Sequence, residues 1–283
     1  MRSKLFVPGS RPELFAKAMA SEADGLSFDL EDAVDESRKD EARAILGEFL
    51  RSLPAGHGKT IIVRVNGLAT RHFQKDLEAV MCDALDLVNL PKPESPEDVR
   101  ACADALDRLD PAAGVGILAN IETPRAYRLA AQIASASSRV VGLQAGWGDL
   151  IEPLGIDRYN PAMIEACLLH IRIAAGEAGA WAYDGAYANF KDAEGYRREA
   201  EASRRLGYLG KSCIHPTQVP LANAAFRPTD AEIAHSLQVV EAAREMSAKG
   251  IGAFTVNGRM VDGPFVRRAE TIVALARKLE IIR

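Results

Sequence analysis

The sequence predicts an α/β protein, a (β/α)8 barrel carrying a C-terminal extension of helix, hairpin and helix, and three observations support this. Short apolar runs alternate with helical patterns about eight times, with short connections, which is the rhythm of a closed barrel. Three runs end abruptly on acids: Gly114-Val-Gly-Ile-Leu-Ala-Asn-Ile-Glu122, Arg139-Val-Val-Gly-Leu-Gln-Ala-Gly-Trp-Gly-Asp149 and Gly25-Leu-Ser-Phe-Asp-Leu-Glu31-Asp32. Runs so short and so free of charge suit strands buried on both faces, with the acids gathered at one rim of a parallel sheet. No GxGxxG follows the first run and no GxxxxGK[ST] occurs anywhere, which leaves the open doubly wound sheet as the alternative without its usual fingerprint.

The elements follow in order. Lys4-Leu-Phe-Val-Pro-Gly9 is a β-prone run closed by turn residues, and Ser10 reads as the N-cap of a helix with Pro12 in its first turn and Glu13 three residues after the cap. Leu26 to Glu31 is the second strand, and Glu36 to Leu50 a helix with Ala42, Ile45, Leu46 and Phe49 on one face. Thr60 to Asn66 is a β-branched third strand ended by Asn66-Gly67, followed by a helix from Arg71 to Met81. Leu87 to Lys92 is the fourth strand, and Ser95 caps the next helix. The run ending on Glu122 is the fifth strand, Pro124 to Ala134 an alanine-rich helix, and Val140 to Gln144 the sixth strand.

An irregular stretch from Asp149 to Pro161 precedes a helix from Ala162 to Ala178. Ala180-Trp-Ala-Tyr-Asp-Gly185 is a weakly marked seventh strand, Ala193 to Leu206 a helix, and Gly207 to Pro216 the eighth strand region. The barrel is expected to span 1–222 and the extension 223–283. In the extension, Thr229 caps a helix from Asp230 to Lys249. Asn257-Gly258 sits between two short apolar runs as a two-residue hairpin turn, and Val266 to Leu279 is a last helix.

At 283 residues the chain has room for two ordinary domains or one large barrel. A hydrophobic share of 48% with 26% charged residues fits a soluble globular enzyme, and a formal net charge of −4 lacks the dense basic face of a nucleic-acid protein. Cys82, Cys102, Cys167 and Cys213 show neither CxxC nor histidine spacing, which reads as buried thiols in a reducing compartment. No long apolar stretch precedes Pro8, as a secretory signal would need, and no run approaches the roughly 18 apolar residues of a membrane span. The expected location is the cytoplasm, without membrane association.

Glu122 and Asp149 close neighbouring strands, so a barrel would converge them at its top face. Two carboxylates without a His or Cys partner favour a hard ion, and Mg2+ completed by waters and substrate fits; each acid could instead cap the helix that follows. Arg64 lies within Ile-Ile-Val-Arg-Val-Asn, where burying a charge is costly unless it meets an anion. That anion is either Glu31 or Asp32, in an internal salt bridge, or a substrate carboxylate or enolate oxygen. Glu31, a candidate catalytic group, and Asp32, a candidate substrate contact, stand behind the metal and Arg64 or cap a helix. Arg11, Lys17 and Lys92 either supply positive charge at the mouth or are solvated, and His215 is either catalytic or packed at a strand end.

Taken together, Arg2-Ser-Lys-Leu-Phe-Val-Pro-Gly-Ser-Arg-Pro-Glu13, Asp29-Leu-Glu-Asp-Ala-Val34, Val63-Arg-Val-Asn66, Pro91-Lys-Pro-Glu94, Ile121-Glu-Thr-Pro124, Gly148-Asp-Leu150 and Cys213-Ile-His-Pro-Thr-Gln218 resemble the citrate lyase β-subunit-like group of the HpcH/HpaI aldolase superfamily. The resemblance runs from the second residue to about residue 270. It implies a (β/α)8 barrel and a Mg2+-dependent carbon–carbon lyase that cleaves a citryl, malyl or citramalyl thioester to an acyl-CoA and a 2-oxoacid. It further implies that Glu122 and Asp149 hold the metal and contact substrate through it, that Arg64 binds substrate, and that the basic residues near Arg11 and Lys17 meet the nucleotide of CoA. Asp262, in Val-Asp-Gly-Pro, matches an acid that in some relatives reaches over a neighbouring subunit and takes part in catalysis. The expected assembly is therefore a homo-oligomer, a trimer or hexamer, with the extension packed on the next protomer. Two other readings stay open: a citrate lyase β-subunit acting on an acyl-carrier thioester inside a complex, and an aldolase for free hydroxy-oxoacids.

Overall fold

A computed structural model of the chain describes residues 1–109 and 114–282. Eight strands, β1 (Ser3–Pro8), β2 (Gly25–Asp29), β3 (Thr60–Arg64), β4 (Leu87–Leu90), β5 (Gly116–Ile121), β6 (Val140–Ala145), β7 (Trp181–Asp184) and β8 (Gly210–Cys213), pair in parallel in chain order. β8 returns to β1 with Lys4 opposite Ser212, which closes the barrel. The (β/α)8 expectation is met.

Strand alternation sorts the residues into two layers. Leu5, Val7, Leu26, Phe28, Ile61, Val63, Val88, Leu90, Ile117, Ala119, Ile121 and Leu143 join the apolar core with the surrounding helices. The alternate positions point into the barrel, and the layer they form is unusually polar: Lys4, Asp29, Arg64, Asn89, Asn120 and Gln144, with Phe6 among them. On the helix side, Phe15 and Phe49 meet Phe28 with ring centroids 5.1 and 5.6 Å apart.

Several local expectations shift. Ser10 is not a cap: a single tight turn over Pro12–Leu14 leads into the helix Phe15–Met19 with no side chain bonded to its entry. Asp35 rather than Glu31 or Asp32 caps the next turn, accepting from the Ser37 N–H at 2.9 Å. The stretch after β6 begins with a short helix, Trp147–Ile151. A helix over Gln218–Ala225 ends the barrel slightly beyond 222, with Pro220 in its first turn, where a missing N–H costs nothing. Ser95 does cap its helix, its hydroxyl accepting from the Asp98 N–H at 3.2 Å.

Between sheet and helices lies an ion cluster centred on the fully buried Lys211 and Asp184. Lys211 Nζ on β8 donates to Asp184 Oδ2 at 2.7 Å and to Glu199 Oε1 at 2.6 Å, and Arg158 forks Glu199 at 2.8 and 2.9 Å. Burial alone would lower the Lys211 pKa, but Asp184 and Glu199 outweigh it and raise it above the ordinary lysine range. Asp184 also accepts from the Trp147 indole at 3.0 Å, so the cluster grips the turn after β6. Lys211→Met would strand the buried Asp184 carboxylate and leave Glu199 to Arg158 alone, and should cost about 3–5 kcal/mol, seen as a lowered urea midpoint.

The chain divides into two compact units, Met1–Phe226 and Arg227–Arg283. In the second, the helix Asp230–Ala248 opens with a full capping box between Thr229 and Glu232. Strands β9 (Phe254–Val256) and β10 (Arg259–Val261) form the expected hairpin, with Asn257 and Gly258 at positive φ. The helix Gly263–Lys278 completes the unit, and Val239, Val256, Val261 and Ala269 make its small core. Among the described residues no helix is long and apolar enough to cross a membrane.

Candidate active site

The C-terminal ends of the strands open onto a cavity of about 460 Å3 lined by Phe6, Asp32, Arg64, Glu122, Gln144 and Asp149 among others. This is the end of a barrel where loops can vary without disturbing the core.

Arg64 makes the internal salt bridge its sequence context allowed. Its Nε and Nη2 fork Asp29 at 2.7 and 2.6 Å, and its Nη1 lies 2.9 Å from Glu31 Oε2 and 3.5 Å from Asp32 Oδ2. It nevertheless faces the cavity, with its guanidinium 5.3 Å from the Phe6 ring centre. Asp29 is the partner the sequence did not single out. It is held in turn by the N–H groups of Glu31 and Ala33, both at 3.0 Å.

Glu122 follows β5 and is buried. The Lys92 N–H donates to its Oε1 at 2.8 Å and the Asn120 amide to its Oε2 at 3.2 Å. Lys92 reaches that position in the left-handed backbone region, with φ 48°, a strained choice for a residue with a Cβ. Gly146 lies against the same carboxylate: a Cβ there would come within 2.5 Å of Oε2, so only glycine leaves room. Burial raises the Glu122 pKa above the usual carboxylate range, and Asp149 adds to it.

Asp149 sits inside the short helix after β6, not at its cap, and lines the cavity. The Lys92 ammonium lies 3.2 Å from Asp149 Oδ1 and 3.3 Å from Glu31 Oε1, so one cation ties these two carboxylates together. Burial pushes the Glu31 carboxyl up to about 7. Glu31 does not line the cavity; it stands behind Arg64 and Lys92 and holds both.

The donor set suits a hard divalent ion. Glu122 and Asp149 offer oxygens only, and no group of three or more His, Cys, Asp and Glu side chains with metal-site geometry occurs among the described residues, so waters and substrate would fill the remaining positions.

Other expected residues lie elsewhere. Arg11 is exposed and paired with Glu13 at 2.9 Å, and Lys17 is exposed on the first helix; neither lines the cavity. His215 is half-buried, bonded to Thr217 at 2.8 Å and stacked on Phe190, while its neighbour Ile214 takes the lining position. Asp262 lies in the second unit, ahead of its last helix, with Oδ1 buried and without a hydrogen-bond partner. Of the thiols, Cys102 and Cys213 are buried while Cys82 and Cys167 are partly exposed, all four reduced.

The family pattern described as HpcH/HpaI aldolase/citrate lyase matches residues 2–216, the whole stretch that builds the barrel strands and the cavity. The chain belongs to the HpcH/HpaI aldolase/citrate lyase family. It is 36% identical over 282 residues to the citrate lyase subunit beta of Escherichia coli K12, covering 97% of this chain and 93% of the relative. It is 37% identical over 288 residues to the (3S)-malyl-CoA thioesterase of Cereibacter sphaeroides, covering 100% and 96%. Among solved structures, CitE from Mycobacterium tuberculosis in complex with magnesium, acetoacetate and coenzyme A aligns with a TM-score of 0.77 at 34% identity, over 98% of this chain and 100% of that one. HpcH/HpaI membership and the oxygen-only donor set point the same way, to lyase chemistry assisted by a divalent ion.

Proposed function

We propose that this chain is a cytoplasmic Mg2+-dependent lyase that cleaves a 3-hydroxyacyl-CoA thioester of the citramalyl, malyl or citryl type to an acyl-CoA and a 2-oxoacid. The observation that carries the reading is the convergence of Glu122, Asp149 and Arg64 on one cavity at the C-terminal rim of a barrel of this family. The complex of CitE with magnesium and coenzyme A supports the choice of ion and thioester.

Glu122 and Asp149 would hold the Mg2+, which supplies Lewis acidity to the β-hydroxyl and the neighbouring carboxylate. The hydroxyl gives its proton to water, a C=O bond forms at its carbon, and the bond from that carbon to the α-carbon of the thioester breaks with its electrons passing into the thioester enolate. Arg64, fixed in orientation by Asp29 and Glu31, forks the carboxylate or the developing oxyanion, while Asp32 borders the substrate at the mouth. Asp262 returns a proton to the enolate carbon; its buried, unpartnered oxygen supports a role beyond capping its helix. In this reading the second unit packs on a neighbouring barrel within a trimer or hexamer, and Arg11 and Lys17 meet the CoA nucleotide. A small core and exposed Met260 and Phe265 support a tail that docks. For Asp262→Asn, turnover should fall about a hundredfold or more while thioester affinity is kept. Unchanged kcat would leave the acid a structural role.

The similarity to (3S)-malyl-CoA thioesterases favours one second reading, hydrolysis of the thioester at the same cavity. Incubation with citramalyl-CoA, malyl-CoA and citryl-CoA separates the two. Acyl-CoA with pyruvate, glyoxylate or oxaloacetate marks the lyase, whereas free CoA with the intact hydroxyacid marks hydrolysis.

A further inference from the structure

The polar interior beneath the cavity contains an ordered ladder of amides that the catalytic reading does not use. It begins at Lys4, on β1, which is buried and lies under the cavity rather than in its wall. Lys4 Nζ donates to Gln144 Oε1 and, at 3.4 Å, to Asn89 Oδ1. The Asn89 amide donates to the Leu118 carbonyl at 2.9 Å and to Asn120 Oδ1 at 2.7 Å, and the Asn120 amide donates to Glu122 Oε2.

A carbonyl can only accept, so Leu118 fixes which way Asn89 faces, and each later amide inherits its direction from the one before. Turning any of them would set N–H against N–H. Burial and the Arg64 charge pull Lys4 well below the ordinary lysine range. Even a neutral amine keeps two hydrogens, one for each amide oxygen.

The ladder has two outlets. One is Glu122, already described. The other is Gln144, whose Oε1 is turned down to Lys4 and whose Nε2 must therefore point the opposite way. Gln144 lines the cavity, no protein atom among the described residues accepts from its Nε2, and Nε2 is not among the buried polar atoms left bare. Two N–H groups are thus left for an acceptor other than the described protein atoms, on a side chain that lines the cavity.

We propose that Gln144 is a further substrate-contact residue, donating from Nε2 to an oxygen of the 2-oxoacid half of the substrate, and that Lys4 is the positioning residue that orients it. The inference rests on the lyase reading and names a specificity element within it. An uncharged donor beside the Arg64 fork suits a keto or carboxylate oxygen, and its loss is felt because the partner oxygen is left unpaired in a confined site.

Titration calorimetry with pyruvate and with oxaloacetate, each in saturating Mg2+, tests this without turnover. Gln144→Met is expected to weaken 2-oxoacid binding about tenfold, with Mg2+ binding alone and Tm close to wild type. Lys4→Met should weaken it only while Gln144 is present, adding nothing in the double variant. Lys4→Gln, which keeps a donor, should restore part of the loss; if Lys4→Met fails to fold, the comparison of Lys4→Gln with Gln144→Met replaces it. Wild-type binding retained in Gln144→Met would overturn this inference alone. A wild-type protein that binds neither 2-oxoacid would overturn the lyase reading and this inference with it.

Discussion

Glu122→Ala is expected to lower Mg2+ affinity by more than about a hundredfold and to abolish turnover while the protein stays folded, because the substitution removes one of the two carboxylates proposed to hold the ion. The fold should survive for a specific reason. Glu122 is a buried carboxylate whose desolvation already raises its pKa, so its loss removes a cost as well as two hydrogen bonds. The Lys92 N–H and the Asn120 amide would lose their acceptor, at about 1–3 kcal/mol for each group left unsatisfied. Calorimetric titration of Mg2+ into the variant, beside a thermal melt, checks both halves. A folded variant that still binds the ion as wild type does would show that Glu122 is not its seat.

Arg64→Met should be the most damaging substitution at the site for stability as well as turnover. Arg64 neutralises Asp29 and Glu31, both nearly buried, and removing it leaves the Asp29 charge uncompensated and Glu31 to Lys92 alone, at a cost of about 3–5 kcal/mol. Arg64→Lys separates the two roles. It keeps the charge and most of the stability but loses the planar fork, so kcat/KM should fall about a hundredfold while the melting temperature moves little. Equal losses of stability in the two variants would mean that the fork, not the charge, holds the segment after β2.

The fold was legible because alternation and punctuation act locally. The apolar runs are continuous since each strand is covered on both faces, and Asn257-Gly258 has the φ > 0 preference that the hairpin demands. The N-terminal cap at Ser10 was not legible, because capping depends on where the chain enters the helix and Pro12 starts a tight turn one residue later than the pattern suggests. Within the site, Glu122, Asp149 and Arg64 stood out as charges in apolar surroundings. Asp29 did not, since it sits inside a motif where Glu31 and Asp32 are equally acidic and only strand register, Asp29 opposite Arg64, decides which one takes the fork. The amide ladder from Lys4 to Glu122 was also invisible: its members come from four different strands and are brought together only by closure of the barrel.

The most direct test of the central claim is a time course on citramalyl-CoA, malyl-CoA and citryl-CoA with Mg2+, after EDTA, and after Mg2+ is restored, following acyl-CoA and 2-oxoacid separately. The account predicts that one of these thioesters yields the two products in equal amounts, that EDTA stops both, and that Mg2+ brings both back. Full activity in EDTA, or release of free CoA without any 2-oxoacid, would contradict it.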